Sequence, residues 1–211
     1  MKQLINLSKL DSASFFNKET LGRVIETGNN SLYSNIKRWL KKGELIQLKK
    51  GLYATKSYTQ AVPDKQNYCE FVANILKTPS YLSGEYILQK YGMLTESVFG
   101  VTSVTLKKTG KYQNVFGTYM YSNIKEKLFT GFKITAKGGY NIKEATKAKA
   151  LFDFLYFRLW RLPEVTKEYL ESLRLNLNEM QTSDFAEFGS YIKLANMKKF
   201  SDLTDKLKKL I

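Results

Sequence analysis

The 211-residue sequence contains no histidine, one cysteine and only three prolines. Without histidine, the chain has no imidazole general acid or base, no Ser-His-Asp or Cys-His nucleophile and no histidine metal ligand. The single cysteine, Cys69, excludes an intrachain disulfide and a thiolate zinc cluster. A lone thiol suits a reducing compartment. We therefore predict a cytoplasmic protein with no cofactor, no metal site and no catalytic residues.

Long apolar runs are also absent. The most apolar stretch, residues 148–160, is interrupted by Lys149, Asp153 and Arg158, and it is too short to cross a bilayer. The opening residues, MKQLINLSKLDS, lack the small-residue cleavage site of an export signal. We predict neither a membrane partner nor export.

Acidic residues are scarce relative to basic ones. Lysine and arginine total 34 against 19 aspartate and glutamate residues, so the net charge is +15. Such an excess points to anionic partners, of which nucleic acid and membrane surfaces are the usual ones. Residues 1–60 hold 11 basic and 4 acidic residues, and residues 31–56 hold seven basic residues against Glu44 alone. The positive charge is therefore densest in the first part of the chain.

The position of Pro63 predicts where the chain divides. It lies in the polar stretch YTQAVPDKQN, between one compact pattern and a new helical one. We predict a linker at about residues 56–66, which separates an N-terminal domain (residues 1–60) from a C-terminal domain (residues 61–211).

The first domain has the element order of a winged helix-turn-helix. The patterns predict helices near residues 5–10 and 17–26, a turn in TGNNS with Asn30 or Ser31 as helix cap, and an amphipathic helix over residues 31–42. Two short strands follow, over residues 45–48 and 52–55, joined by the turn Lys49-Lys50-Gly51.

The amphipathic helix has one apolar face and one basic face. Its apolar residues, Leu32, Ile36, Trp39 and Leu40, have helical spacing. A helix of this kind can enter the major groove while lysines meet phosphates. Ser34 and Arg38 are the predicted base-edge contacts, and the full predicted DNA-binding set is Ser31, Tyr33, Ser34, Lys37, Arg38, Lys41, Lys49 and Lys50. The alternative is a solvated lysine-rich face with no ligand.

The remaining residues alternate helical and strand patterns. Helices are predicted over 65–76, with Asp64 as cap, and over 83–91 and 147–162, the last being central to the core. Strands are predicted over 101–106, 116–121, 132–136 and 140–142, and an amphipathic helix in the tail. The predicted fold class is α+β, a winged helix-turn-helix followed by a mixed α/β domain with a small sheet and a central apolar helix.

Catalytic signals in this second domain are weak. Asp153 lies among aromatic residues, but no second carboxylate follows it at i+3 or i+4 to form an acid–base pair. The sequence TGKY at 109–112 lacks the upstream glycine and the Ser/Thr of a phosphate loop. We interpret Asp153 as a helix-packing carboxylate. A phosphoryl-transfer or nuclease activity using Asp153, Glu144 and nearby lysines is the enzymatic alternative.

Several segments, in order, resemble the AbiEi family, the antitoxin and regulator half of bacterial type IV (AbiE) abortive-infection toxin–antitoxin pairs. They are GELIQLKKGLYAT at the predicted wing, the run YLSGEYILQKYGMLTESVFGVTSVTLKKTGKYQNVFGTYMY, then KLFTGF and KAKALFDFLY. The resemblance covers about residues 18–160. The chain departs from the family at residues 147–149, where Pro-Glu-Lys is more usual.

The resemblance implies a phage-defence antitoxin that also represses its own transcription. The winged helix would bind operator DNA at inverted repeats in its own promoter. The C-terminal domain would counter a cognate nucleotidyltransferase toxin, for which a stable complex is not required. Two alternatives stay open beside the enzymatic one: an orphan winged-helix regulator, and an antitoxin that neutralises its toxin by direct binding.

Overall fold

The computed structural model describes residues 7–26, 28–160 and 162–210. Within these ranges the chain is a mixed α/β protein with nine α-helices and two sheets. The fold class is thus confirmed at the level of mixed α and β structure.

The first part contains two helices and a three-stranded sheet. Its elements are β1 (Phe16–Asn17), α1 (Lys18–Ile25), α2 (Asn29–Lys42), β2 (Leu45–Lys49) and β3 (Leu52–Thr55). The sheet is antiparallel, in the order β1-β3-β2. Both predicted strands are confirmed, whereas β1 was missed. The helix predicted over residues 5–10 falls partly outside the described residues, and residues 7 and 8 are helical.

The predicted linker at residues 56–66 contains a helix that the sequence patterns did not predict. Residues Lys56–Ala61 form helix α3, because the Thr55 hydroxyl accepts a hydrogen bond from the Tyr58 amide and caps the helix. Helix α4 follows at Lys65–Leu76, as predicted, and its Asp64 cap accepts from the Asn67 amide.

The second part is built on a six-stranded sheet. Its strands are β4 (Ser80–Leu82), β5 (Val101–Thr105), β6 (Gly110–Asn114), β7 (Gly117–Asn123), β8 (Phe132–Lys137) and β9 (Tyr140–Ala145). The spatial order is β6-β7-β5-β4-β9-β8, with β5 parallel to β7 and β4 parallel to β9. The prediction of a small sheet is therefore wrong, since β4 and β6 were missed.

Helices cover both faces of this sheet. Helix α4 packs on one face, where Tyr121 of β7 donates a hydrogen bond to the Ala73 carbonyl. Helix α6 (Lys147–Leu159) packs on the other, where Tyr81 and Ser83 reach Asp153. The remaining helices are α5 (Glu85–Lys90), α7 (Lys167–Ser172), α8 (Thr182–Ala195) and α9 (Leu203–Lys208). The prediction that the 147–162 helix is central is confirmed, and the helix ends three residues earlier.

The buried apolar residues form two clusters. The smaller one lies in the first part and includes Leu21, Ile25, Leu32, Ile36 and Trp39. The larger one fills the second part, and Leu48 and Leu52 of the β2–β3 hairpin belong to it. The hairpin therefore contributes to both cores. Within the described ranges, every helix is too short or too polar to cross a membrane.

Candidate nucleic-acid interface

Helix α1 provides the support on which α2 packs. The Asn17 side chain accepts from the Thr20 amide at 2.8 Å and caps α1. A Cβ added at Gly22 would lie 3.1 Å from Leu32 Cδ2, so the absence of a side chain there allows the two helices to approach closely. Leu21 and Ile25 are buried against the same cluster as the apolar side of α2.

Helix α2 starts earlier than the sequence predicted. It begins at Asn29, with Gly28 as the N-cap, so the prediction that Asn30 or Ser31 caps it is wrong. It ends at Gly43, whose φ of +69° favours glycine. Leu32, Ile36 and Trp39 are buried as predicted. Asn35 is also buried, and its side-chain oxygen accepts from Arg38 Nη2 at 3.0 Å.

The outward side of α2 carries most of the predicted contacts. Ser31, Ser34, Lys37, Arg38 and Lys41 are all exposed. Ser34, Lys37, Arg38 and Lys41 recur at offsets of 0, 3, 4 and 7, which places them on one side of a helix. No ion pair formed within the described residues includes Lys37 or Lys41, so neither charge is neutralised by a carboxylate there. This side of α2 therefore presents a row of hydroxyl and cationic groups.

Tyr33 links the beginning of α2 to α1 and to the hairpin turn. Its side chain is 61% exposed, and the Lys18 ammonium lies 3.6 Å from the centre of its ring. Lys18 lowers the pKa of the Tyr33 hydroxyl, and the charge of Lys50 contributes to the same lowering. Lys50 precedes Gly51, whose carbonyl accepts from the Lys18 amide, so the turn lies on the same side of the molecule as Lys18 and Tyr33.

The turn itself is fixed to α1. Gly51 has a φ of +81°, as the tight turn requires, and its carbonyl accepts from the Lys18 amide at 3.3 Å. An open cleft of about 640 Å³ lies between α1, the start of α2 and this turn, and Lys18 and Arg23 line it. These two cations were not predicted from the sequence, because along α1 they are isolated charges. Only the packing of α1 against α2 places them close to the predicted residues.

Lys49 is separated from the rest of the predicted set. Its side chain is half-buried, and its ammonium donates to the Leu76 carbonyl at the end of α4 at 2.6 Å. Burial lowers the pKa of Lys49, and the charges of Lys107 and Lys77 lower it further. The predicted residues that the structure brings together on α2 are Ser31, Ser34, Lys37, Arg38 and Lys41. Tyr33 and Lys50 lie beside this row. Lys49 instead points toward the large sheet.

The residues of the enzymatic alternative occupy different places. Asp153 is fully buried, and its two oxygens accept from Lys149, Tyr81 and Ser83 at 2.7–3.0 Å. Glu144 pairs with Lys137 and Lys90 on another side of the sheet. No group of three or more metal-ligating side chains is found in the described ranges. The exposed cationic surface of α2 and the turn is therefore the strongest candidate site.

The chain was also compared with known proteins. A scan against protein-family models and a search of curated proteins both returned no match.

Proposed function

We propose that the protein is a DNA-binding transcriptional regulator, and that α1, α2 and the β2–β3 hairpin act as its winged helix-turn-helix. The observation that carries the proposal is the exposed row on α2 with Lys50 and Lys18 beside it. A helix of 14 residues with one buried side and one basic side has the shape and the charge to enter a major groove. Binding of DNA by a bacterial regulator also fits a cytoplasmic location.

Each predicted residue has a distinct role in this proposal. Ser34 and Arg38 read base edges, since a hydroxyl and a guanidinium can both form hydrogen bonds there. Lys37, Lys41 and Lys50 bind phosphates and release counterions, with Ser31 and Tyr33 beside them. Lys49 is left out of the interface, because its ammonium already binds the Leu76 carbonyl.

The test is a fluorescence-anisotropy titration with duplex DNA from upstream of the gene, beside a scrambled duplex of equal length. We expect specific binding to exceed non-specific binding by at least about 10³-fold at physiological salt. The variant Lys37→Ala, Arg38→Ala, Lys41→Ala should bind more weakly, and the slope of log K against log salt should fall by about 0.9 for each phosphate that the variant no longer binds.

The matched control is the variant Lys133→Ala, Lys193→Ala, Lys209→Ala, which removes three exposed positive charges elsewhere. This control should bind DNA with nearly the same affinity and salt slope as the wild type, apart from small long-range electrostatic effects. Equal binding of both duplexes by the wild type would contradict sequence-specific regulation. If the α2 variant and the control are weakened equally, the surface is misassigned.

The antitoxin role is the second part of the proposal, and it is supported only by the resemblance to AbiEi. Here the second domain counters a nucleotidyltransferase and performs no catalysis itself. Growth rescue on co-expression with a neighbouring nucleotidyltransferase gene tests this role. Rescue without a complex on size exclusion fits an indirect antitoxin, a stable complex fits direct neutralisation, and absence of rescue contradicts both.

A further inference from the structure

An aromatic cavity of about 420 Å³ lies on the second part of the molecule, at the C-terminal end of α6. This volume is within the range of about 300–1,000 Å³ that small-molecule sites occupy. Its lining combines aromatic rings, hydroxyl groups and one cation: Tyr156, Phe157, Trp160, Thr109, Ser122, Asn123 and Lys125. No carboxylate is among these described lining residues, so the cavity favours an anionic ligand over a cation.

The Tyr156 hydroxyl is the most informative group in this cavity. Tyr156 is only 6% exposed, and its ring packs edge-on against Phe157 at 5.4 Å and Phe200 at 6.3 Å, so its position is fixed. The hydroxyl forms no hydrogen bond within the described residues, and since it is not one of the fully buried polar atoms that lack a partner, it is accessible from the cavity. A ligand in the cavity can therefore form a hydrogen bond with it.

Trp160 forms an exposed aromatic wall of the same cavity. Its side chain is 51% exposed, whereas the other tryptophan, Trp39, is 1% exposed. Lys199 holds this end of α6 in place, because its ammonium donates to the carbonyls of Leu159 and Leu162 at 2.8 and 2.9 Å and also to that of Trp160. These contacts also offset the negative end of the helix dipole, which would otherwise repel an anion.

The positive charge of the cavity comes from Lys125. Lys125 is exposed, and it takes part in no ion pair within the described residues. The Asn123 side chain donates to the carbonyls of Leu106 and Lys107 at 3.0 Å. It thereby fixes the turn that leads into Thr109, which lines the cavity.

We propose that this cavity binds a nucleoside phosphate, with the base stacked on Trp160 and the phosphate paired with Lys125. Stacking on tryptophan suits any base, since every base has a π-face. The hydroxyls of Tyr156 and Ser122 complete the site as hydrogen-bonding groups for the sugar or the base edge. The ligand is either a free mononucleotide or the terminal nucleotide of a single-stranded RNA.

The experiment titrates the full chain with the four ribonucleoside 5′-monophosphates. Trp160 fluorescence and isothermal calorimetry report binding, while buried Trp39 contributes a constant signal. We expect saturable quenching, and tighter binding of a nucleotide than of its nucleoside or of inorganic phosphate. Tyr156→Phe and Lys125→Ala should each weaken binding by about 5- to 10-fold, as expected for one hydrogen bond and one partly exposed charge contact. Trp160→Leu should weaken it by about 5- to 100-fold in calorimetry.

Lys133→Ala is the matched control, because Lys133 is an exposed lysine on the opposite edge strand of the sheet. A pentaribonucleotide arm distinguishes the two ligand sources, and it uses the variant Lys37→Ala, Lys41→Ala so that α2 does not contribute. If the pentaribonucleotide binds more than tenfold more tightly than the mononucleotide, and this binding depends on Trp160, the ligand is an RNA end. If the two bind with equal affinity, the ligand is a free nucleotide. Absence of binding by any mononucleotide or by the pentaribonucleotide overturns the proposal, as does binding that all three cavity substitutions leave unchanged.

Discussion

At the scale of single residues, the most consequential contact is the ion pair between Lys149 and Asp153. Both side chains are fully buried, one helical turn apart on α6, with Nζ and Oδ1 2.7 Å apart. Lys149 also donates to the Leu128 carbonyl at 2.8 Å, and Tyr81 and Ser83 donate to Asp153. Each charge is therefore compensated by a charge and by hydrogen bonds, as burial demands.

We expect Lys149→Met to lower the free energy of unfolding by about 3–5 kcal/mol, because it leaves the Asp153 carboxylate buried without a counter-charge. The double variant Lys149→Met, Asp153→Leu should be less destabilised than this single one. Urea denaturation at neutral pH measures both. Equal or greater destabilisation of the double variant would mean that packing, and not an uncompensated charge, is the cause.

The pH dependence of the same variant gives a second readout. Burial raises the pKa of Asp153, and the Lys149 charge opposes the rise. Without Lys149 the pKa of Asp153 in the folded protein should rise further above its value in the unfolded chain. A group whose pKa is raised by folding stabilises the folded state when the pH is below the pKa of that group in the unfolded chain. This stabilisation is lost as the pH rises through the pKa of the same group in the folded protein. Lys149→Met should therefore be closer to wild type in acid than at neutral pH.

At the scale of elements, a charged network joins α4, α5, β8 and β9. Glu70 of α4 pairs with Lys90 of α5 at 2.6 Å, and Glu144 of β9 pairs with Lys137 of β8 and accepts from Thr135 at 2.9 Å. Burial acts to raise the pKa of Glu144, but the hydrogen bonds from Lys137 and Thr135 and the charge of Lys90 lower it overall.

We expect Glu144→Gln to destabilise the protein by about 1–2 kcal/mol at neutral pH, a modest effect because the lysines are partly exposed. A lowered carboxyl pKa contributes stability above the unfolded pKa, and that stability is lost as the pH falls through the folded pKa. The difference between variant and wild type should thus shrink in acid. Thermal melts from about pH 7 to pH 3 measure it. Glu96→Gln is the control, because Glu96 is exposed and forms no ion pair within the described residues.

The elements that the sequence predicted well are those whose signals are local. Helix α4 has a capping aspartate, an apolar stripe at helical spacing and a Thr-Pro stop, and its bounds were predicted to the residue. Strand β6 was missed, because GKYQN alternates partly exposed and exposed side chains without an apolar face. The parallel pairing of β5 with β7 and the bond from Lys49 to Leu76 join segments that are far apart in the chain, so no local pattern indicates them.

At the scale of the whole molecule, the two hydrophobic clusters are connected by specific contacts. The Tyr68 hydroxyl donates to the Ser14 carbonyl at 2.9 Å, and the Asn114 side chain donates to the Leu48 carbonyl at 3.0 Å. Lys49 reaches Leu76, and Leu48 and Leu52 are buried in the larger cluster. The division into residues 1–60 and 61–211 stays a prediction, but unfolding of the first part alone would expose apolar surface of the second.

We therefore expect the chain to unfold in one cooperative transition. In the variant Trp160→Phe, Trp39 is the remaining tryptophan, and it is buried in the smaller cluster. Its fluorescence then reports on the first part, while far-ultraviolet circular dichroism reports mainly on the longer second part. The two curves in urea should have the same midpoint and slope. Substitutions at the connection, such as Asn114→Ala with Lys49→Met, should separate the curves and move the Trp39 midpoint to lower urea. Separate midpoints in the starting variant would instead show two independently stable domains, and the first part could then be studied as a fragment.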